Sequence, residues 1–211
     1  MDIVGANVLL NSFFDTGRDL HYERREQIIS INEQSKYVYW IKAGLVSAFS
    51  QGDQGNTVIY YLYKEHEIFP LTQLFGSMLT DVGFAAFRNV TLKRKLALDF
   101  LSFLDGEPHA LITVMTQQNM AYARILAVNN GSAEQRLINL LLILTTRLGI
   151  KSNDHIEINL NMTIQEFADN IRLSRESTGK IFKKLENDGA IIMGRQRLLV
   201  NREKLMTYLE A

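Results

Sequence analysis

The stretch that leaves this chain the fewest structural options is "TIQEFADNIRLSRESTGKIFKKLENDGAI", Thr163 to Ile191. It contains two helix starts. Thr163 and Glu166 form a T-x-x-E capping box ahead of an apolar-periodic run. Ser174 suits the N-cap of a second helix. Ile164, Phe167, Ala168 and Ile171 make the inner face of the first helix, and Thr178, Ile181, Phe182 and Leu185 that of the second. "RLS" between them allows only a tight turn. Glu176, Lys180, Lys183 and Asn187 share the face opposite the apolar stripe, with Arg175 on its flank at the first turn. Asp188-Gly189 ends the helix, and "AIIMGRQRLLVN" reads as a hairpin with a basic tip at Arg195 and Arg197. Helix, turn, helix and hairpin in this order predict a winged helix-turn-helix.

Such a fold offers the N-terminal residues of its second helix to the major groove of DNA. Arginine there pairs with guanine, and glutamate accepts from cytosine. Serine and threonine hydroxyls at a helix start suit phosphates. Ser174, Arg175, Glu176, Ser177 and Lys180 supply these types on the leading turns, with Lys183 one turn on. An isolated charged helix is ordinarily a solvated face; the preceding short helix, the tight turn and the basic wing favour DNA. Bulk charge does not help, since 23 Lys and Arg balance 23 Asp and Glu. From Asn161 to Ala211 nine basic residues stand against seven acidic ones. Contact with DNA therefore depends on where the charges sit.

Upstream, residues 27–101 are rich in β-branched and aromatic residues. "EQIISI", "KYVYWIKAG", "LVSAFS", "TVIYYLYKEHEIF", "GFAAFRNV" and "KRKLALDF" read as strands, separated by turn signals such as "QGDQGN" and "TDVG". Their regular spacing predicts a small sandwich or barrel. "PLTQLFGSML" interrupts them as a short helix. From Pro108, a good N1 residue, the period changes. Leu111, Met115, Gln118, Tyr122, Ile125 and Asn129 recur at steps of four and three, a heptad-like stripe. It fits a helix packed on its own domain and, equally, one paired with its copy in a homodimer. Ser132 and Gln135 form a second capping box, opening a helix from Ala133 to about Leu148 that Gly149 closes.

Other classes of function find little support. There is no Ser-His-Asp spacing, P-loop or dinucleotide fingerprint, so an enzyme is not expected. His21, His66, His109 and His155 lack metal-ligand spacing, and no metal site is expected. The chain has no cysteine, which excludes disulfides, thiolate zinc sites and cysteine-ligated iron–sulfur clusters. No apolar run is long enough to span a membrane, and the start lacks a secretory signal. The cytoplasm is the expected location.

With these residues in view, the chain resembles the CRP/FNR superfamily of bacterial transcription regulators over nearly its whole length. "LSRESTGKIFKKLENDGAI" is similar to the family's recognition segment, and "VYWIKAGLVSAFSQGDQGNTVIYYLYKEHEIFPL" to its β-roll, with Gly44 at a turn glycine and His66 near a second one. The resemblance implies an α+β fold. Residues 1–107 would form a double-stranded β-helix, a cyclic-nucleotide-binding-like β-roll that acts as sensor. Residues 108–130 would form a dimerisation helix, with Leu111, Met115, Gln118, Tyr122 and Ile125 at the interface, and residues 131–211 a winged helix-turn-helix. It also implies that Arg175, Glu176 and Lys180 read bases and that Thr163 contacts a phosphate. The partners would be double-stranded DNA, a second copy of the chain, RNA polymerase and a small-molecule effector.

Departures from the family pattern narrow this. "FPLTQLFGSMLTDVGFAAF" stands where cyclic-nucleotide binders place a ribose-binding glutamate and a phosphate-binding arginine, and it has neither. An unpaired phosphate in an apolar pocket would cost several kcal/mol, so cAMP and cGMP are not expected. Haem through His66 or His21 is not expected either. Tyr61, Phe69, Leu71, Phe84 and Tyr122 are candidates to line an effector pocket, although ordinary core packing explains each of them. Arg172 occupies the turn where many relatives have glycine; a left-handed backbone would cost it about 1 kcal/mol. The competing reading is a ligand- or protein-binding module whose winged helix is an interaction platform without DNA.

Overall fold

A computed structural model of the chain describes residues 3–52, 57–75, 81–194 and 197–210. The chain divides into two compact units, residues 1–122 and 123–211.

The first unit begins with helix α1 (Ile3–Asp15), followed by strands β1 (Arg18–Tyr22), β2 (Gln27–Ile29), β3 (Tyr37–Ala43), β4 (Val46–Gln51), β5 (Thr57–Tyr63) and β6 (Ile68–Phe69). Short helix α2 (Leu71–Phe75), strands β7 (Gly83–Ala86) and β8 (Val90–Leu96), helix α3 (Ala97–Gly106) and the first part of helix α4 (Pro108–Asn129) complete it. The strands form two four-stranded antiparallel sheets, β1-β8-β3-β6 and β2-β7-β4-β5, the two layers of a β-roll.

β3 explains why its sequence reads as an unbroken apolar run. Successive strand residues face opposite ways, yet Val38, Tyr39, Trp40 and Ile41 are all buried. Val38 and Trp40 join a helix-side cluster with Leu10 and Phe14 of α1, Phe100 and Leu104 of α3, and Ala110 and Val114 of α4. Tyr39 faces the other way and stacks on Phe69 at 5.3 Å. β3 is thus covered on both faces. β6 is an edge strand, and α4 covers it: Gln117 donates through Nε2 to the Ile68 carbonyl at 3.1 Å and accepts from the Ile68 N–H at 3.4 Å. Gly44 has φ of 94°, and a Cβ there would collide with the Asn89 carbonyl.

"KRKLALDF" is not one strand. β8 stops at Leu96 and α3 starts at Ala97, because Phe100 and Leu104 at i, i+4 are the buried face of a helix. α1 and β1 extend the unit beyond the expected strands. The loop tip of "QGDQGN" (residues 53–56) and the end of "PLTQLFGSML" (residues 76–79) lie outside the described residues.

The second unit holds the end of α4, helix α5 (Ala133–Leu148), strands β9 (Ile150–Ser152) and β10 (His155–Ile158), helices α6 (Ile164–Ile171) and α7 (Arg175–Asn187), strands β11 (Ile191–Met193) and β12 (Leu198–Val200), and helix α8 (Arg202–Glu210). The sheet order is β11-β12-β10-β9. Both arms of the Ser132–Gln135 capping box are present. Gly149 does follow α5, but not through a left-handed turn. Its backbone is extended, with φ of −77° and ψ of 144°. Glycine is needed there because a Cβ would strike Ile156 Cγ2 and the Thr145 carbonyl. α8 was not legible as a helix; its start is marked by Asn201, whose Oδ1 accepts from the Lys204 N–H at 3.0 Å. Among the described residues no helix is long and apolar enough to cross a membrane.

Candidate nucleic-acid interface

α6, the turn after it and α7 are fixed by their caps and by one buried seam. Thr163 Oγ1 accepts from the Glu166 N–H at 3.1 Å, and Glu166 Oε2 accepts from the Thr163 N–H at 2.8 Å. Phe167, Ala168 and Ile171 of α6 are buried, as are Thr178, Phe182 and Leu185 of α7. Phe167 and Phe182 meet with ring centroids 4.9 Å apart. The turn between the helices is tight because Arg172 adopts the left-handed conformation, φ 53° and ψ 49°. Burial raises the Asp169 carboxyl pKa against an opposing hydrogen bond from Gln165.

This frame leaves one face of α7 open. Arg175, Glu176, Ser177, Lys180 and Lys183 are all exposed. Lys180 Nζ sits 2.8 Å from Glu176 Oε1 with both side chains more than three-quarters exposed. Such a pair adds little stability. Among the described residues the Arg175 guanidinium and the Lys183 ammonium have no hydrogen-bond or ion-pair partner. Ser174 and Ser177 are committed locally. Ser174 Oγ caps the helix by accepting from the Ser177 N–H at 3.1 Å and donates to Ser177 Oγ at 2.9 Å. Thr163 is exposed at the N-terminus of α6 with its capping box made. On the wing Arg197 is exposed and 3.8 Å from Glu157; Arg195 lies outside the described residues.

Lys184, which sequence reasoning passed over, serves packing. Its ammonium is 2.8 Å from Glu134 of α5 and lies over the Tyr208 ring of α8. Tyr208 in turn donates to Asp188 at the end of α7, and that hydrogen bond is the main reason its pKa is pushed up to about 12.

The stripe on α4 comes out rotated. Leu111, Met115 and Tyr122 are exposed, but Gln118 is only 7% exposed and Ile125 is half-buried. Ala110, Val114, Gln118 and Ala121 recur at helical spacing and form the buried face. The expected interface role of Gln118 is therefore corrected: its side chain is buried within its own chain. The open seam runs through Ile112, Met115, Asn119, Tyr122 and Leu126, with Ile112 62% and Leu126 70% exposed.

The candidate effector residues separate. Phe69 stacks on Phe84 at 5.1 Å, and Tyr63, tilted against Phe69, meets Tyr61 edge-on. Tyr61 donates to Glu67 Oε1 at 3.4 Å. Leu71 belongs instead to the helix-side cluster, and Tyr122 is exposed. These residues do not share one lining. His66 sits on the rim of a groove of about 320 Å³ with Asn7, Val8, Asn11 and Trp40, and His21 is 3.2 Å from Thr91 Oγ1. Among the described residues no three His, Cys, Asp or Glu side chains are gathered as a metal ion would require.

Comparison with known proteins agrees with this geometry. A model of the Crp-like helix-turn-helix domain matches residues 135–208. The HTH-type transcriptional regulator ArcR of Staphylococcus aureus (strain JH1) is 27% identical over 86% of this chain and 79% of its own. The structure of FixK2 from Bradyrhizobium japonicum superposes with a TM-score of 0.76 at 17% identity, covering 91% of this chain and 96% of that one. A CooA mutant from Carboxydothermus hydrogenoformans gives 0.75 at 16% identity, covering 93% and 89%. At such identities the two structures speak for the fold. With the β-roll, the capped helix pair and the match to the DNA-binding domain together, residues 135–208 carry a Crp-like helix-turn-helix domain, and the chain is similar to transcription regulators of the CRP/FNR superfamily.

Proposed function

We propose that this DNA-binding transcription regulator works as a homodimer that reads a near-palindromic operator through two copies of α7. Arg175 pairs with guanine, Glu176 accepts from cytosine, and Lys180 reaches a neighbouring base or phosphate. Thr163, Ser174, Ser177, Lys183, Arg195 and Arg197 are assigned to the sugar–phosphate backbone. The observation that carries this reading is the Arg175 guanidinium, exposed at the capped start of α7 with no partner among the described residues. Folding gives it no role, whereas a bidentate contact to a base does.

The apolar seam on α4 supports pairing with a second copy, since Ile112 and Leu126 are wide open in the single chain. We assign gating to an unidentified effector of the β-roll and activation to contact with RNA polymerase. The stretch "FPLTQLFGSMLTDVGFAAF" holds neither a glutamate for a ribose nor an arginine for a cyclic-nucleotide phosphate, and the chain has no cysteine for an iron–sulfur cluster. The protein is proposed to act without either group, without haem, without enzymatic activity and in the cytoplasm.

Selection of bound fragments from a random DNA pool tests the reading. The expected product is a two-fold symmetric consensus that the Arg175→Glu, Lys180→Glu double variant no longer retains. Retention of the same fragments by the double variant would sink it in favour of an interaction platform that does not use DNA.

A further inference from the structure

The helix side of the β-roll carries a groove that neither the DNA-reading helix nor the aromatic filling of the roll explains. Asn7, Val8, Leu10 and Asn11 of α1, Trp40 of β3 and His66 in the turn between β5 and β6 line it. Its volume is about 320 Å³, and small-molecule sites begin at about that size. Leu10 and Trp40 are anchored in the helix-side cluster, which gives the groove a fixed apolar floor.

Four polar groups on this lining are unused by the fold. Trp40 is only 6% exposed, and a buried indole N–H ordinarily finds an acceptor. Here it has none among the described residues. The side-chain amides of Asn7 and Asn11, four residues apart on one face of α1, have no partner among them either. The His66 imidazole packs against the indole with ring centroids 5.3 Å apart and makes no hydrogen bond to a described residue. Its backbone is left-handed, with φ of 68°, which costs any residue that has a Cβ. The turn uses the His66 N–H, which donates to the Ile41 carbonyl at 2.9 Å. Glycine would supply that N–H without strain, so the turn does not account for the imidazole.

We propose that this groove is a binding site for a small, uncharged heteroaromatic molecule, which lays its ring against Trp40, Leu10 and Val8 and exchanges hydrogen bonds with Asn7, Asn11, His66 and the indole N–H. The lining decides the class. Apolar walls with a few convergent polar groups suit a small planar ligand. An asparagine amide both donates and accepts, so the ligand carries groups of both kinds. None of the six residues is Asp, Glu, Lys or Arg, so a charged ligand would give up hydration without meeting a counter-charge. Trp40 faces the helices, whereas Tyr39 faces the roll interior and stacks on Phe69. The site is therefore separate from the interior of the roll, and it does not depend on the DNA-reading role of α7.

Trp40 is the only tryptophan in the chain, so its fluorescence reports on the groove directly. The test titrates the full-length chain with nicotinamide, with adenine, and with nicotinate, the charged counterpart of nicotinamide. At least one neutral probe is expected to change the Trp40 emission saturably, with a dissociation constant in the millimolar range or tighter. Nicotinate is expected to bind about tenfold more weakly than the better neutral probe. The Asn7→Leu, Asn11→Leu double variant changes only exposed residues. It is expected to keep the wild-type melting temperature and to lose about tenfold in affinity for the same probe. His66→Gly, which suits the left-handed turn, is expected to weaken binding as well and carries the test should the double variant misfold. No saturable response to either neutral probe would overturn the proposal. Nicotinate binding as tightly as the better neutral probe would overturn the uncharged class. Full affinity in either folded variant would place the probe elsewhere and remove the site.

Discussion

Thr178 shows what a single residue in the helix pair contributes. It is fully buried on the inner face of α7, and its Oγ1 has no hydrogen-bond partner among the described residues. A buried hydroxyl left unpaired costs about 1–3 kcal/mol relative to an apolar group of the same shape. Thr178→Val keeps the branched outline and removes the orphan. It is expected to stabilise the second unit by about 1 kcal/mol, a rise of about 4–8 °C in that unit's melting temperature by differential scanning calorimetry. Operator affinity should not change, because the side chain faces inward. A fall in melting temperature would show that the hydroxyl is satisfied in solution. The sequence placed Thr178 correctly in the buried stripe, because 3.6-residue periodicity is local. It carried no sign of the unpaired hydroxyl, because pairing depends on residues brought close by tertiary folding. Arg172 contrasts with it: its departure from glycine was visible in the sequence, and the left-handed turn that makes it costly is present.

At the scale of elements, legibility followed the range of the forces involved. α4, α5, α6 and α7 carry their own start signals, in Pro108, Ser132, Thr163 and Ser174, and begin where those signals lie. α1 and α3 carry weak local patterns and are held by the aromatic cluster of Phe13, Phe14, Phe100 and Phe103, which sequence order does not reveal. The α4 stripe was misplaced by part of a turn, because a heptad count drifts against a straight helix and Gln118 belongs to the buried side. The seam of Ile112, Met115, Tyr122 and Leu126 makes its own prediction. Ile112→Glu with Leu126→Glu changes side chains that are mostly in solvent in the single chain. Each chain's own stability should therefore shift by no more than about 0.5 kcal/mol. Four carboxylates brought into a dimer seam would split it. Sedimentation velocity is expected to show wild type as a dimer and the variant as a monomer with native circular dichroism. A variant that sediments as wild type does would place the dimer contact elsewhere.

The whole molecule is electrically neutral, with 23 basic and 23 acidic residues, so its total charge does not drive it toward DNA. What binding it has must come from a few placed cations, and that makes the salt dependence informative. On duplex DNA the logarithm of the binding constant falls with the logarithm of salt by about 0.9 for each phosphate neutralised. Lys183 is exposed and has no partner among the described residues, so its removal costs the fold little and the complex one phosphate contact per copy. In a homodimer engaging both half-sites, Lys183→Ala removes two contacts. The slope should then shrink by about two, with affinity reduced evenly over different operators. A change of about one would mean that only one copy of α7 is seated on the duplex. No change would remove Lys183 from the backbone contacts. Arg175→Ala should behave differently, relaxing the sequence preference at one base pair in each half-site more than it changes the slope. Measured together by anisotropy titration across a salt series, the two variants separate backbone contact from base reading. They also count the copies at work, which a charge-neutral chain does not otherwise disclose.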